Sequence, residues 1–297
     1  MDRKNFLKTM AILPLGAAAM QLSSLKAATD AFSATDRMPV LFLGHGNPMN
    51  ALADNNFTQG FQQMAKTLPK PRAILCISAH WETKGTFVTA MQKPETIHDF
   101  GGFPQALFDV QYPAPGSPEL ALETQKLITS TAIGLSNEWG LDHGCWTVLK
   151  FLYPNAEIPI VEMSIDYTKP ASYHYELGKE LTALRRKGVL IVGSGNTVHN
   201  LQLAAWDKMM LPGYAFEWAH IANEKMKKMI LENDHQSLIN FDKQGREFQL
   251  AVPTPEHYIP MLYTLALREK DEKATVFNDA IVAGSLNMLS IKIDKAW

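Results

Sequence analysis

Short apolar runs rich in branched residues recur at 39–43, 73–79, 158–165 and 188–194, bounded by turn formers, with helix-like segments between them. Runs of this length and punctuation read as buried strands. The helix-like segments cover residues 55–67, 118–132, 172–187, 215–232 and 255–268. In the third, Leu177, Leu181 and Leu184 fall at helical spacing, and Ser117 stands ready to cap the second, with Pro118 at its first position. Strands alternating with helices predict an α/β fold with a mostly parallel or mixed central sheet flanked by helices on both faces. A closing strand is expected over residues 283–293. No repeat, low-complexity tract or Gly/Ser linker divides the chain, so residues 31–297 are expected to form a single domain.

Two of the strand-like runs end in histidine. His45 follows Val40–Leu43 in Gly44-His45-Gly46-Asn47-Pro48, and His80 follows Ala73–Ala79 in Ser78-Ala79-His80-Trp81. A third, His199, lies just past the run at 188–194, in Gly193-Ser194-Gly195-Asn196-Thr197-Val198-His199. His257 sits in the Pro-punctuated turn Pro253-Thr254-Pro255-Glu256-His257. In an open α/β sheet, ligands gather in the crevice at the carboxyl ends of the strands. Any one of these histidines alone reads as an ordinary hydrogen-bonded residue. Several delivered to one sheet edge read as a metal site, because imidazole suits zinc, iron, copper and nickel. Two loops, at 94–117 and around Leu141–Trp146, place His98 beside Asp99 and His143 beside Asp142, among aromatics suited to holding a planar polar ligand. His174, His220 and His235 read as surface residues.

Composition narrows the classes without choosing among them. A formal charge of −2, with 20% charged and 46% hydrophobic residues, is ordinary for a globular protein and leaves no footprint for nucleic acid. The two cysteines, Cys76 and Cys145, read as small buried residues, and a disulfide between them is the lesser alternative.

Six motifs occur here in the order found in the DOPA 4,5-dioxygenase family of class III (LigB-like) extradiol ring-cleaving dioxygenases. They are Gly44-His45-Gly46-Asn47-Pro48-Met49, Ser78-Ala79-His80-Trp81, His98-Asp99-Phe100-Gly101-Gly102-Phe103-Pro104, Asp142-His143-Gly144, Gly195-Asn196-Thr197-Val198-His199-Asn200 and Pro253-Thr254-Pro255-Glu256-His257-Tyr258. The chain resembles that family from about Met38 to Ile293. The resemblance implies one α/β domain and one mononuclear divalent metal held by His45, His80 and His257, with His199 as a fourth ligand or as the acid/base. Many relatives of the wider class use a glutamate in the third ligand position, so Glu256 competes with His257 at this stage. The resemblance also implies His143 as a catalytic partner and His98 and Asp99 as substrate contacts. Ferrous iron, Fe(2+), would support oxygen chemistry, and Zn(2+) binds the same imidazoles. The implied reaction opens the ring of a small, DOPA-like catechol with O2, with no nucleic-acid or membrane partner. Two other classes stay in view: a zinc hydrolase using the same histidines, in which bound water is acidified, and a non-enzymatic binding protein.

The first residues depart from the family pattern. Arg3, Lys4 and Lys8 precede an apolar stretch from Met10 to Met20, followed by small residues Ala27 and Ala28. Basic, apolar and small regions in that order describe a signal peptide over residues 1–30, of twin-arginine-like or Sec type, and hence export to the periplasm. An amphipathic extension on a cytoplasmic protein is the alternative. Mass spectrometry of protein from its native host should find a chain beginning near residue 28; soluble cytoplasmic protein with Met1 intact would refute export.

Overall fold

The computed structural model describes residues 33–209, 211 and 213–296, so the expected signal peptide lies outside the described residues. Four strands match the apolar runs closely: β1 (Val40–Gly44), β2 (Ala73–Thr83), β5 (Ile160–Asp166) and β6 (Val189–Gly195). Four others complete the sheet, namely β3 (Thr86–Thr89), β4 (Ile133–Ser136), β7 (Glu272–Phe277) and β10 (Ser290–Lys295). The strand order is β4-β3-β5-β2-β6-β1-β10-β7. Pairing is parallel through the centre, β1 with β6, β6 with β2 and β2 with β5, and antiparallel where β10 joins β1 and β7. The sheet is therefore mixed, and its parallel middle is buried on both faces, as parallel strands require.

Six helices of eight residues or more stand among the described residues: α1 (Asn56–Ala65), α2 (Pro118–Leu127), α3 (His143–Leu152), α4 (Ala171–Glu180), α5 (Glu217–Glu232) and α6 (Ile259–Ala266). Helix α3 is nearly all buried and packs Trp146, Leu149 and Leu152 with Phe61 of α1 against Leu41, Leu43, Cys76 and Val192 of the sheet. Helix α6 covers the opposite face. A Cβ placed on Gly193 would meet the Pro260 carbonyl oxygen at 2.5 Å and the Thr264 methyl at 2.8 Å, so only glycine lets α6 sit this close to β6. Residues Asp36–Trp297 form one compact unit, the expected single α/β domain.

Several expectations need correcting. The segment around Leu141–Trp146 is not a loop: Asp142 caps α3 by accepting a hydrogen bond from the Cys145 amide, and the helix begins at His143. The closing strand over 283–293 is instead a small hairpin, β8 (Ile281–Val282) with β9 (Leu286–Asn287), followed by β10. Positive φ at Ala283 and Gly284 turns the chain there. The helix expected over 172–187 breaks at Leu181, and the one over 118–132 ends at Leu127. His174 is fully buried, not on the surface, where its Nδ1 lies 3.0 Å from the Tyr263 hydroxyl and ties α4 to α6. His235 is half-buried against the Tyr175 hydroxyl, and of the three only His220 is exposed. Cys76 and Cys145 are both buried and free.

Crowding at Gly193 gives a stability test. Gly193→Ala should destabilise the protein by about 1–3 kcal/mol, the usual cost of overpacking a filled core. Urea unfolding should show a lower midpoint at unchanged slope.

Candidate metal centre

Parallel pairing brings the carboxyl ends of β1, β6 and β2 to one edge, with Gly44 opposite Gly195 and Ser78 opposite Ser194. His45 leaves β1 directly after this row. His80 sits where β2 lifts out of its ladder with β5, since Ile77 faces Met163 and the next pair is Glu82 with Ile165. His257 lies in the turn before α6, and a Cβ on Gly195 would come within 2.1 Å of its carbonyl oxygen. Strand ends and turn thus converge on one point. His45, His80 and His257 each offer a ligand atom within 4.8 Å of the other two.

The outer nitrogens fix which ring atoms face inward. Ser194 Oγ can donate only one hydrogen, and that goes to the Gly144 carbonyl. It must therefore accept from His45 Nδ1, 3.0 Å away, which leaves the lone pair of His45 Nε2 pointing into the centre. His257 Nδ1 donates to Glu256 Oε1 at 3.0 Å with the same consequence. In this arrangement the Glu256 carboxylate lies behind the His257 imidazole, and it also lies within reach of His199. His80 Nδ1 lies 3.3 Å from Asp99 Oδ2, and His80 Nε2 then faces His45 Nε2 at 3.3 Å. With both nitrogens deprotonated, a cation between them would receive a lone pair from each. Tetrahedral zinc–imidazole bonds of about 2.0–2.1 Å would set neighbouring nitrogens about 3.3–3.4 Å apart. The residues present fit a single metal ion.

His143 and His199 flank the three. Asp99 Oδ2 accepts from His143 Nδ1 at 2.9 Å and Asp99 Oδ1 from the His143 amide at 2.9 Å, while the His143 ring lies 3.8 Å from that of His80. His199 stacks on His257 with ring centroids 3.5 Å apart and planes 10° from parallel. The stretch before it is not a free turn, because Asn287 Oδ1 accepts from the amides of both Thr197 and Val198. His98 does not join the group. Its Nε2 donates to the Val110 carbonyl at 3.0 Å, and its ring packs among Phe100, Phe108 and Trp146, bracing the loop. The sequence offers Glu256 only as a rival ligand, not as a partner of the His257 ring, and it gives no role to Ser194 or Asn287.

Burial dominates the electrostatics. Desolvation, reinforced by neighbouring imidazoles, holds His45 and His257 well below the ordinary histidine range. Desolvation likewise lowers His80 to about 3, with His143 adding to the effect, and His199 to about 4. Burial alone would raise the Asp99 carboxyl, but hydrogen bonding and charge from His143 and His80 hold it below its usual value. All four deeply placed imidazoles are therefore neutral near pH 7, the form that binds metals and accepts protons. A cavity of about 780 Å³ is walled by Asn47, Met49, Asn50 and Met288, with none of the clustered histidines in its lining.

Comparison with known proteins agrees with this geometry. The family described as the catalytic LigB subunit of aromatic ring-opening dioxygenase matches residues 38–285. A curated 4,5-DOPA dioxygenase extradiol of Escherichia coli (strain K12) is 48% identical over 89% of this chain and 97% of its own length. One from Beta vulgaris is 32% identical over 84% of this chain and 94% of its own. The crystal structure of an uncharacterised Escherichia coli K12 protein superposes with a TM-score of 0.75 at 42% identity, covering 87% of this chain and all of that one.

The lowered histidine values carry a sign. Unfolded histidines bind protons below about pH 6.5, whereas His199 and His80 resist protonation down to about 4 and 3 when folded. The unfolded state then binds more protons, so stability of metal-free protein should fall as pH drops from about 6.5 toward 4. Urea midpoints of the chelated protein across that window test this; a flat profile would contradict the burial of neutral imidazoles.

Proposed function

The chain belongs to the family of LigB catalytic subunits of aromatic ring-opening dioxygenases, and from that premise we propose that it opens the ring of a small, DOPA-like catechol by extradiol cleavage. The observation that carries this reading is the set of inward lone pairs on His45, His80 and His257, which suits one divalent metal, Fe(2+) for activity. Bound there, iron would supply the redox chemistry that lets O2 react with a closed-shell ring.

The protein's own groups account for the rest. Catechol must lose protons, and two imidazoles stand ready to take them. His199 is neutral near pH 7 because of its burial. His143 is oriented by Asp99 through Nδ1, as a base is oriented by a carboxylate, leaving its other nitrogen as acceptor. Asp99 accordingly serves to orient two histidines, and Phe100, with its ring 5.4 Å from that of His143, offers an aromatic wall. Cleavage breaks the ring C–C bond between one hydroxyl-bearing carbon and its neighbour outside the diol, one atom of O2 ending in the carboxylate and the other in the aldehyde, and a protonated imidazole can return its proton to the ring-opened semialdehyde.

The test is O2 uptake with catechols after anaerobic loading with ferrous iron, with metal content measured in parallel. His80→Ala should lose both metal and turnover. His199→Ala and His143→Ala should keep most metal and lose about 10²–10⁴-fold in turnover if they act as acid/base; metal lost from His199→Ala would make it a fourth ligand. No O2 uptake by iron-loaded protein across a panel of catechols would favour the zinc hydrolase.

A further inference from the structure

Beneath the first turn of α3 lie two carboxyl side chains with no exposure, Asp142 and Glu162. Asp142 Oδ1 accepts from Ser78 Oγ at 2.6 Å and from the Cys145 amide at 3.1 Å. Glu162, in mid-β5, accepts the Asp142 amide on Oε1 at 2.9 Å, while its own amide donates to Thr89 Oγ1. The two carboxyls are neighbours, and the Asp142 charge adds to the burial that pushes Glu162 upward. Yet Asp142 Oδ2 and Glu162 Oε2 meet no N–H or O–H donor. The titratable groups that face the pair are Asp99 from its loop, His143 and Cys145 from α3, and Cys76 from β2. No lysine or arginine is among them. Two ionised carboxylates side by side, fully buried and with no lysine or arginine facing them, are strongly disfavoured.

One proton resolves both orphaned oxygens at once. We propose that Asp142 and Glu162 share a single proton at neutral pH, Glu162 Oε2–H donating to Asp142 Oδ2, and that the pair is a positioning device for the histidine cluster. The proton belongs on Glu162, because Asp142 already receives two donors and caps a helix N-terminus, both of which favour its charged form. Burial pushes both carboxyls upward, Glu162 well above its ordinary value. Through Asp142 the pair holds Ser78, whose Oγ accepts the His80 amide at 3.2 Å. It also holds the turn bearing Gly144, whose carbonyl engages Ser194 behind His45 and where an added Cβ would lie 2.9 Å from the His80 ring. His45, His80 and His143 thus all lean on one hydrogen-bonded carboxyl pair.

Infrared spectroscopy of the full chain at neutral pH should show the C=O stretch of a buried carboxylic acid, absent from Glu162→Gln. That readout is independent of catalysis, so it stands or falls apart from the dioxygenase reading, on which only the activity arm rests. With iron-loaded protein, Glu162→Leu should lower kcat by roughly 10–100-fold, the usual effect of losing a group that orients site residues. Glu162→Gln, whose amide can donate to Asp142 without titrating, should restore most of that loss and remove any alkaline fall in kcat due to this pair. Should Glu162→Gln not fold, Asp142→Asn serves to assign the wild-type band. Absence of a carboxylic acid band at neutral pH, or a Glu162→Gln enzyme as impaired as Glu162→Leu, would overturn the proposal.

Discussion

Everything at the candidate centre depends on the register of three parallel strands. Ser78 and Ser194 lie in one row and Gly44 and Gly195 in the next, and the histidines start from there. A slip of one residue would send alternate side chains to the other face, taking Ser194 away from His45. The glycines in that second row are there for closeness. At Gly44 an added Cβ would lie 2.6 Å from the Met288 backbone, and at Gly195 it would strike the His257 carbonyl. Backbone packing at ångström range is what allows a strand end, a bulged strand and a turn to present three imidazoles to one point.

The cluster is assembled against its own electrostatics. Desolvation and mutual proximity make His45, His80 and His257 reluctant to be charged, and hydrogen-bond acceptors behind His45 and His257 choose their tautomers. Asp99 and Glu256 place negative charge behind the rings, which strengthens an imidazole as a donor to a cation. The same carboxylates would destabilise an anion at the centre. A positive ion is what this arrangement stabilises, in keeping with the chemistry of the family.

The parts legible in the sequence were those governed by local pattern. The four long apolar runs gave β1, β2, β5 and β6, and Ser117 does cap α2, accepting the Leu120 amide at 3.1 Å. His45, His80 and His199 are legible because strand ends in an α/β sheet have one address, whereas His257 is marked by its Pro-punctuated turn. Short strands such as β3 and β4 do not stand out in the sequence, because four residues are too few to show a period, whether mostly buried as in β3 or half-exposed as in β4. Helix α3 was taken for a loop because its first turn, His143-Gly144-Cys145, lacks strong helix formers and is stabilised by Asp142 and tertiary burial. Orienting partners such as Ser194 and Asn287 are illegible for a different reason, since hydrogen bonds across 149 and 90 residues leave no trace in local order.

The position of β1 bears on when such a site can exist. Although it comes first in the described chain, it is flanked by β6 and by β10, whose pairing with it reaches Ile293. One of its two neighbours is thus made last, and the segment leading to His199 is pinned by Asn287 from the same late stretch. Long-range pairing of this kind is slow to form. On a ribosome, the strand that leads to His45 would wait almost the whole length of synthesis for its second partner. The centre is a property of the finished chain, so filling it follows the completion of folding and cannot guide its first steps.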